Sequence, residues 1–235
     1  MVSSTVQYLH PADWSGARNA WQVREGLWRM GRAEWVDSTG WRQMVNDGVS
    51  TVIDVRTPPE IKRRELDPEA EVPDEVRQIH VPVEDVDHEP FWERNAPYPM
   101  HPDAYHDTLA TFGDRVAAAV STLVDSWEAG GTVLHCTAGR DRTSLIMGLA
   151  LQLPNIPGGA ADWEEHKRVY ASGAYGINEH HRTSPIPHPY ESYLEPEAFD
   201  RELADRLASY RTFLKEWPGE RVQELLECRA QTEKA

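Results

Sequence analysis

The chain has 235 residues, 40% of them hydrophobic, with 24 Lys and Arg against 39 Asp and Glu for a net charge of −15. That length suits one large domain with a substantial core, and no stretch approaches the roughly 20 apolar residues of a membrane span. The acidic balance argues against a general nucleic-acid binder or a module that docks on anionic membranes, because such a surface repels polyanions at long range.

Residues 1–25 read as an arm without clear periodicity, packed through Trp14 and Trp21. They lack a basic n-region and an apolar h-region, so no signal peptide is expected. Asp37 or Ser38 caps a short helix with Trp41, Met44 and Val45 on one face, stopped at Gly48. Residues 51–55 (TVIDV) form a buried strand, and residues 79–83 (IHVPV) a second, whose Pro82 marks an edge or an end. An acidic, proline-rich loop spans 84–102. Residues 114–129 place Val116, Val120, Leu123, Val124 and Trp127 on one helical stripe before Gly130 and Gly131. A short strand (132–135), an apolar helix (143–153) and a further helix (162–171) follow. Residues 173–196 show no period, a length of loop that marks a lid. Helices over 197–217 and 220–230 close the chain. Helices alternating with short strands predict an α/β fold, with a core over 26–153 and a lid with C-terminal helices over 154–235. Two cysteines, Cys136 and Cys228, make a disulfide framework improbable and point to a cytoplasmic protein, with Cys228 a small hydrophobe beside Leu225 and Leu226.

Between strand 132–135 and the helix after it lies CTAGRDR, residues 136–142. The backbone N–H groups of Thr137, Ala138, Gly139 and Arg140 can curl around one tetrahedral anion at the start of a helix. Gly139 permits the backbone conformation this needs. Arg142 supplies a planar fork for two phosphoryl oxygens. Cys136, at the bottom of the loop, is surrounded by dipoles and charge that favour a thiolate aimed at phosphorus. Asp141 can protonate the leaving oxygen and then activate water. Thr143 can donate its hydroxyl to the departing sulfur, and His135 can hold the loop backbone. The loop and Arg142 neutralise the transferring charge, so no metal or other cofactor is required.

HCTAGRDRTS resembles the phosphate-binding loop of the cysteine-dependent protein tyrosine phosphatases, in particular the bacterial branch whose loop reads HCxxGKDRTG. Residues 26–61 are similar to the N-terminal pattern of that branch, so the likeness runs from about Gly26 to Gln152. It implies a central, mostly parallel sheet flanked by helices and activity on phosphotyrosine, phosphoprotein or phosphoinositide substrates. It further implies Cys136 as nucleophile, Arg142 as phosphate clamp, Asp141 as acid within the loop, and Asp85 where some members carry another acid. The sequence departs from the family in having Arg140 for the loop lysine, Ser144 for the glycine after the threonine, Met30 for an upstream serine, and no clean counterpart of an early NFRD pattern at residues 17–20.

Asp85 also lies within a run of acids that reads as a solvated charged face. Asp54 and Arg56 read as a structural ion pair, and Arg29 either reaches the pocket or pairs with an acid. His180, His181 and His188 show no recurring metal-ligand spacing, whereas Arg182 with these histidines and tyrosines suits a lid that contacts substrate. The expected partner is a phosphorylated substrate, a phosphoprotein or alternatively a small phosphorylated metabolite. A rhodanese-like sulfurtransferase fits less well, because its loop is shorter, and a non-catalytic phosphate-binding module leaves Cys136, Asp141 and Arg142 without a use.

Overall fold

A computed structural model describes residues 6–97 and 99–232; the first five residues of the expected arm, Tyr98 in the acidic loop and the last three residues of the C-terminal segment lie outside the described residues. The strands are β1 (His10–Pro11), β2 (Trp21–Arg24), β3 (Leu27–Met30), β4 (Val49–Asp54), β5 (Arg77–His80) and β6 (Gly131–His135). The helices are α1 (Ser38–Asn46), α2 (Glu89–Arg94), α3 (Tyr105–Ala129), α4 (Asp141–Leu151), α5 (Trp163–Thr183), α6 (Pro196–Glu216) and α7 (Gly219–Thr232). One sheet runs β1-β2-β3-β6-β4-β5. Its last four members are parallel to their neighbours, and the β1-β2-β3 end is antiparallel. The fold is the α/β arrangement that the alternation predicts.

The period-two alternation of side chains divides the core into two layers. Leu27, Ile53 and Leu134 join the apolar faces of α3, α4, α5 and α6. Trp28, Val52 and Val133 point the other way, onto Trp41 and Met44 of α1 and onto Trp14. Each such side chain contributes about 1.5–3 kcal/mol on burial, so both layers resist separation from the sheet. The Asp37 carboxylate accepts the N–H groups of Thr39 and Gly40, which starts α1 where the sequence places it.

Several elements differ from the sequence reading. The N-terminal arm contains β1 and β2, and β2 turns into β3 through Gly26, whose φ of 70° suits glycine. Strands of only four residues leave too little pattern to detect. The acidic loop holds α2, and α3 begins at Tyr105, ahead of the expected start, bending at Phe112. The expected lid is shorter than its composition suggests, because α5 continues through Gly173 and Gly176 to Thr183. A Cβ at Gly173 would strike the Arg29 guanidinium, and one at Gly176 would strike the Asn19 side chain. These glycines mark close approach rather than a helix end. Cys228 is exposed on α7, which docks instead through Val222.

Parallel pairing brings the carboxyl ends of four strands to one rim. Met30 lies opposite His135, His135 opposite Asp54, and Asp54 opposite His80. Crevices beyond the carboxyl ends of parallel strands are where such sheets bind ligands.

Candidate active site

The chain leaves β6 at His135 and enters α4 at Asp141, so residues 136–140 form a tight loop on that rim. Gly139 adopts φ 69° and lies against the Met30 carbonyl, where a Cβ would collide. The carbonyls of the loop are all engaged from outside it. Arg32 N–H donates to Thr137 at 3.0 Å. Asn19 Nδ2 donates to Ala138 at 2.8 Å and to Gly139 at 3.3 Å. Arg29 Nη2 reaches the carbonyls of Gly139 at 2.5 Å and Arg140 at 3.3 Å, and the Ser144 hydroxyl at 3.0 Å, while its Nη1 donates to Val169 at 2.7 Å. His135 Nδ1 lies 3.2 Å from the Cys136 carbonyl. Among the described residues no protein group accepts the N–H of Thr137, Ala138 or Gly139. Carbonyls held outward and amides left over make the geometry of an anion cradle, reinforced by the N-terminus of α4.

Arg29 can do this because it alternates with Trp28 and Met30 along β3 and therefore points toward α5. It is fully buried, and burial lowers its guanidinium below the ordinary value against the pull of Tyr210 and Cys136. His135 is likewise pushed down by burial, although Asp54 pulls it up. Asp54 and Arg56 form the expected ion pair, Oδ2 to Nη2 at 2.6 Å, extended by Glu34 at 2.9 Å.

Cys136 is 2% exposed, and Cys136, Thr137, Ala138, Arg140, Asp141 and Arg142 all line one cleft of about 830 Å³. Arg142 meets Glu60 through two parallel bonds of 2.5 and 2.7 Å, and Glu84 at 3.3 Å. Glu60 also accepts the hydroxyls of Thr137 at 2.7 Å and Thr57 at 2.8 Å. Burial raises its carboxyl, but Arg142 and these hydroxyls outweigh that and hold it well below the usual carboxylate range. Glu84 is 2% exposed, and its Oε1 has no hydrogen-bond partner. Burial pushes its carboxyl up against the pull of Arg142, with Glu60 and Asp141 adding to the push. Asp141 accepts bonds from Arg140 Nε at 3.0 and 3.2 Å and lies 3.5 Å from Arg206. Arg140 in turn meets Glu191, from the segment after α5, at 2.5 Å. Thr143 is fully buried with its hydroxyl unpartnered.

Two expected contacts lie elsewhere. Asp85 is outside the cleft, 2.7 Å from Arg115, because the chain beyond β5 turns after Val83 and buries Glu84 instead. Arg182 is half exposed and pairs with Glu179 one helical turn back, at 2.6 Å; α5 continues through this region and turns that side chain away. Sequence reasoning missed Glu60, Glu84, Glu191 and Asn19. For Glu60 a signal existed, since TPPE at 57–60 is a capping box. Asn19 lies in the segment set aside as a poor match to NFRD. Glu84 and Glu191 carry no local mark.

A model described as the tyrosine phosphatase family matches residues 13–160. No curated protein matches the sequence. Among solved structures the chain is similar to P. aeruginosa TpbA in complex with pTyr, at 13% identity and a TM-score of 0.48 over 97% of this chain and 99% of that one. It is also similar to a putative phosphatase from Shewanella putrefaciens, at 17% identity and a TM-score of 0.38 over 83% and 95% of the two chains. A mouse putative dual specificity phosphatase complexed with zinc tungstate is 15% identical with a TM-score of 0.34, over 90% and 96%.

Proposed function

The chain belongs to the tyrosine phosphatase family, and from that premise we propose that it hydrolyses phosphate monoesters of the phosphotyrosyl type through a cysteinyl-phosphate, without a metal ion. The sulfur of Cys136 attacks phosphorus in line, forming an S–P bond as the ester P–O bond breaks. Asp141 gives its proton to the leaving oxygen. Water then attacks phosphorus, Asp141 takes a proton from it, and the S–P bond breaks to release inorganic phosphate while Thr143 donates its hydroxyl to the departing sulfur. Arg142 and the loop amides hold the equatorial oxygens, where charge accumulates in the transition state.

One observation carries this reading: every loop carbonyl is held outward around Cys136 while Glu60 fixes the Arg142 fork on the same cleft. The size of the cleft and the presence of Trp35, Trp92, Leu66 and Ile186 on its walls favour an aryl phosphate presented by a protein over a compact sugar phosphate. The test is Cys136→Ser assayed on p-nitrophenyl phosphate and a phosphotyrosyl peptide. Turnover is expected to vanish while vanadate still binds, and full activity in that variant would refute the scheme.

A further inference from the structure

Each carboxylate on the cleft wall has a guanidinium beside it, whereas two guanidiniums on that wall have no carboxylate partner among the described residues. Glu60 and Glu84 share Arg142, Asp141 lies against Arg140 and Arg206, and Glu191 meets Arg140, with the His181 ring 3.4 Å away. Asp67 is matched by the buried Arg32 at 2.5 Å. Two guanidiniums on the cleft wall, those of Arg18 and Arg64, have no carboxylate within ion-pair distance among the described residues. The Arg18 side chain makes a single long bond, 3.4 Å, to the Ala17 carbonyl.

Both arginines project from backbone tied to the loop. The Arg18 carbonyl accepts the Gly31 N–H at 2.9 Å, and the next residue, Asn19, holds the loop carbonyls. The Arg64 N–H donates to Asp67 at 2.6 Å, and Asp67 is fixed by Arg32, whose own N–H bonds Thr137. Both arginines share the cleft wall with His180 and act on its ring. Half-buried His180, its ring 4.6 Å from that of Trp35, is pushed down to about 4 by its burial, His181, Arg18 and Arg64. Desolvation and the neighbouring Arg32 charge push Arg64 down as well, against the pull of Asp67 and Glu34. Positive charge is crowded here on a chain whose net charge is −15, and an anion would relieve it.

We propose that Arg18 and Arg64 form a second anion subsite at the mouth of the cleft, which takes a second phosphoryl group of a substrate whose first phosphoryl group sits in the loop. The proposal rests on the phosphatase reading above and extends it from substrate type to substrate charge. Two guanidiniums on separate, anchored segments suit a dianion, which accepts charge-assisted bonds from both sides.

The test compares kcat/KM for a phosphotyrosyl peptide and for the same peptide with an adjacent phosphoserine. The doubly phosphorylated peptide is expected to be preferred about tenfold at low salt, with the preference shrinking as ionic strength rises. In Arg18→Ala/Arg64→Ala the ratio falls to about one. A parallel pair, an inositol monophosphate and a bisphosphate, tells whether the second group arrives on a peptide or on a ring; a preference in either pair that the double substitution removes supports the subsite. No preference in either pair, or a preference that survives the double substitution, overturns it. Salt dependence of the unmodified protein tests the same point should the double variant fail to fold. Binding of the two peptides to Cys136→Ser needs no turnover, so failure of the subsite and failure of the phosphatase reading are read separately.

Discussion

Glu60 and Arg142 meet fork to fork, Oε2 at 2.5 Å from Nη1 and Oε1 at 2.7 Å from Nη2. The pair joins the turn after β4 to the start of α4, and the Thr137 hydroxyl ties the same carboxylate to the loop. A guanidinium set by a bidentate partner on one edge keeps its remaining N–H groups in a fixed direction. Glu60→Gln preserves shape but removes one acceptor oxygen and the charge. We expect kcat/KM for p-nitrophenyl phosphate to fall roughly 10–100-fold, mostly through KM, from the lost positioning of Arg142. Unchanged kinetics would show that Arg142 is oriented by something other than Glu60.

Arg29 holds the other side of the loop. Its two terminal nitrogens serve three carbonyls and one hydroxyl in full burial. Lysine keeps the charge but cannot reproduce that planar fork. Arg29→Lys is expected to lower unfolding free energy by about 3 kcal/mol, the scale of losing buried bonds to a charged group, and to lower kcat for every substrate alike. Denaturant unfolding and steady-state kinetics check both. A variant as stable and active as the parent would remove Arg29 from the support of the loop.

Asp141 is the proposed proton donor, and its identity shows in the leaving group. Asp141→Asn keeps an acceptor for Arg140 and Arg206 but cannot give up a proton. An alkyl phosphate, whose leaving oxygen needs protonation, should lose about 100-fold in kcat, and p-nitrophenyl phosphate only a few-fold. Equal losses would transfer the role to another acid, and Glu84, the buried carboxyl beside Arg142, is then the candidate.

Glu84 also sets a pH dependence of stability. Burial raises its carboxyl in the folded chain, so the folded state keeps a proton that the unfolded chain releases above the ordinary carboxylate value. The stability tied to that proton is complete below the unfolded value of about 4.3 and is lost as pH rises through the higher folded value. Glu84→Gln removes the titration. Relative to the parent, its melting temperature should therefore climb as pH rises from 4 to 7, and a difference that is flat or falls over that interval would contradict the assignment.

Much of this was legible where the signal is local. The span from Cys136 to Arg142 is seven consecutive residues whose types point to a loop between a strand and a helix, where the structure has it, and the apolar stripe around Val116, Val120 and Leu123 is a helix face in the sequence itself. What the sequence leaves unreadable is long-range. The TPPE capping box at 57–60 announces a turn, but its carboxylate is set against Arg142, 82 residues on. Residues 173–183 show no helical signal in the sequence, and the Arg29 and Asn19 side chains that Gly173 and Gly176 admit come from the N-terminal segment. Glu84 and Asp85 are adjacent acids, and the turn after β5, invisible to a period-two pattern, decides which of them is buried.

The central claim is a covalent bond between Cys136 and phosphorus. Mixing the protein with a phosphotyrosyl peptide, quenching in acid within milliseconds and digesting for mass spectrometry tests it directly. The account predicts a phosphoryl group on the peptide containing Cys136, appearing before steady state and absent from Cys136→Ser. Rapid turnover with that peptide unmodified at every quench time, or with the phosphoryl group on another side chain, would contradict it.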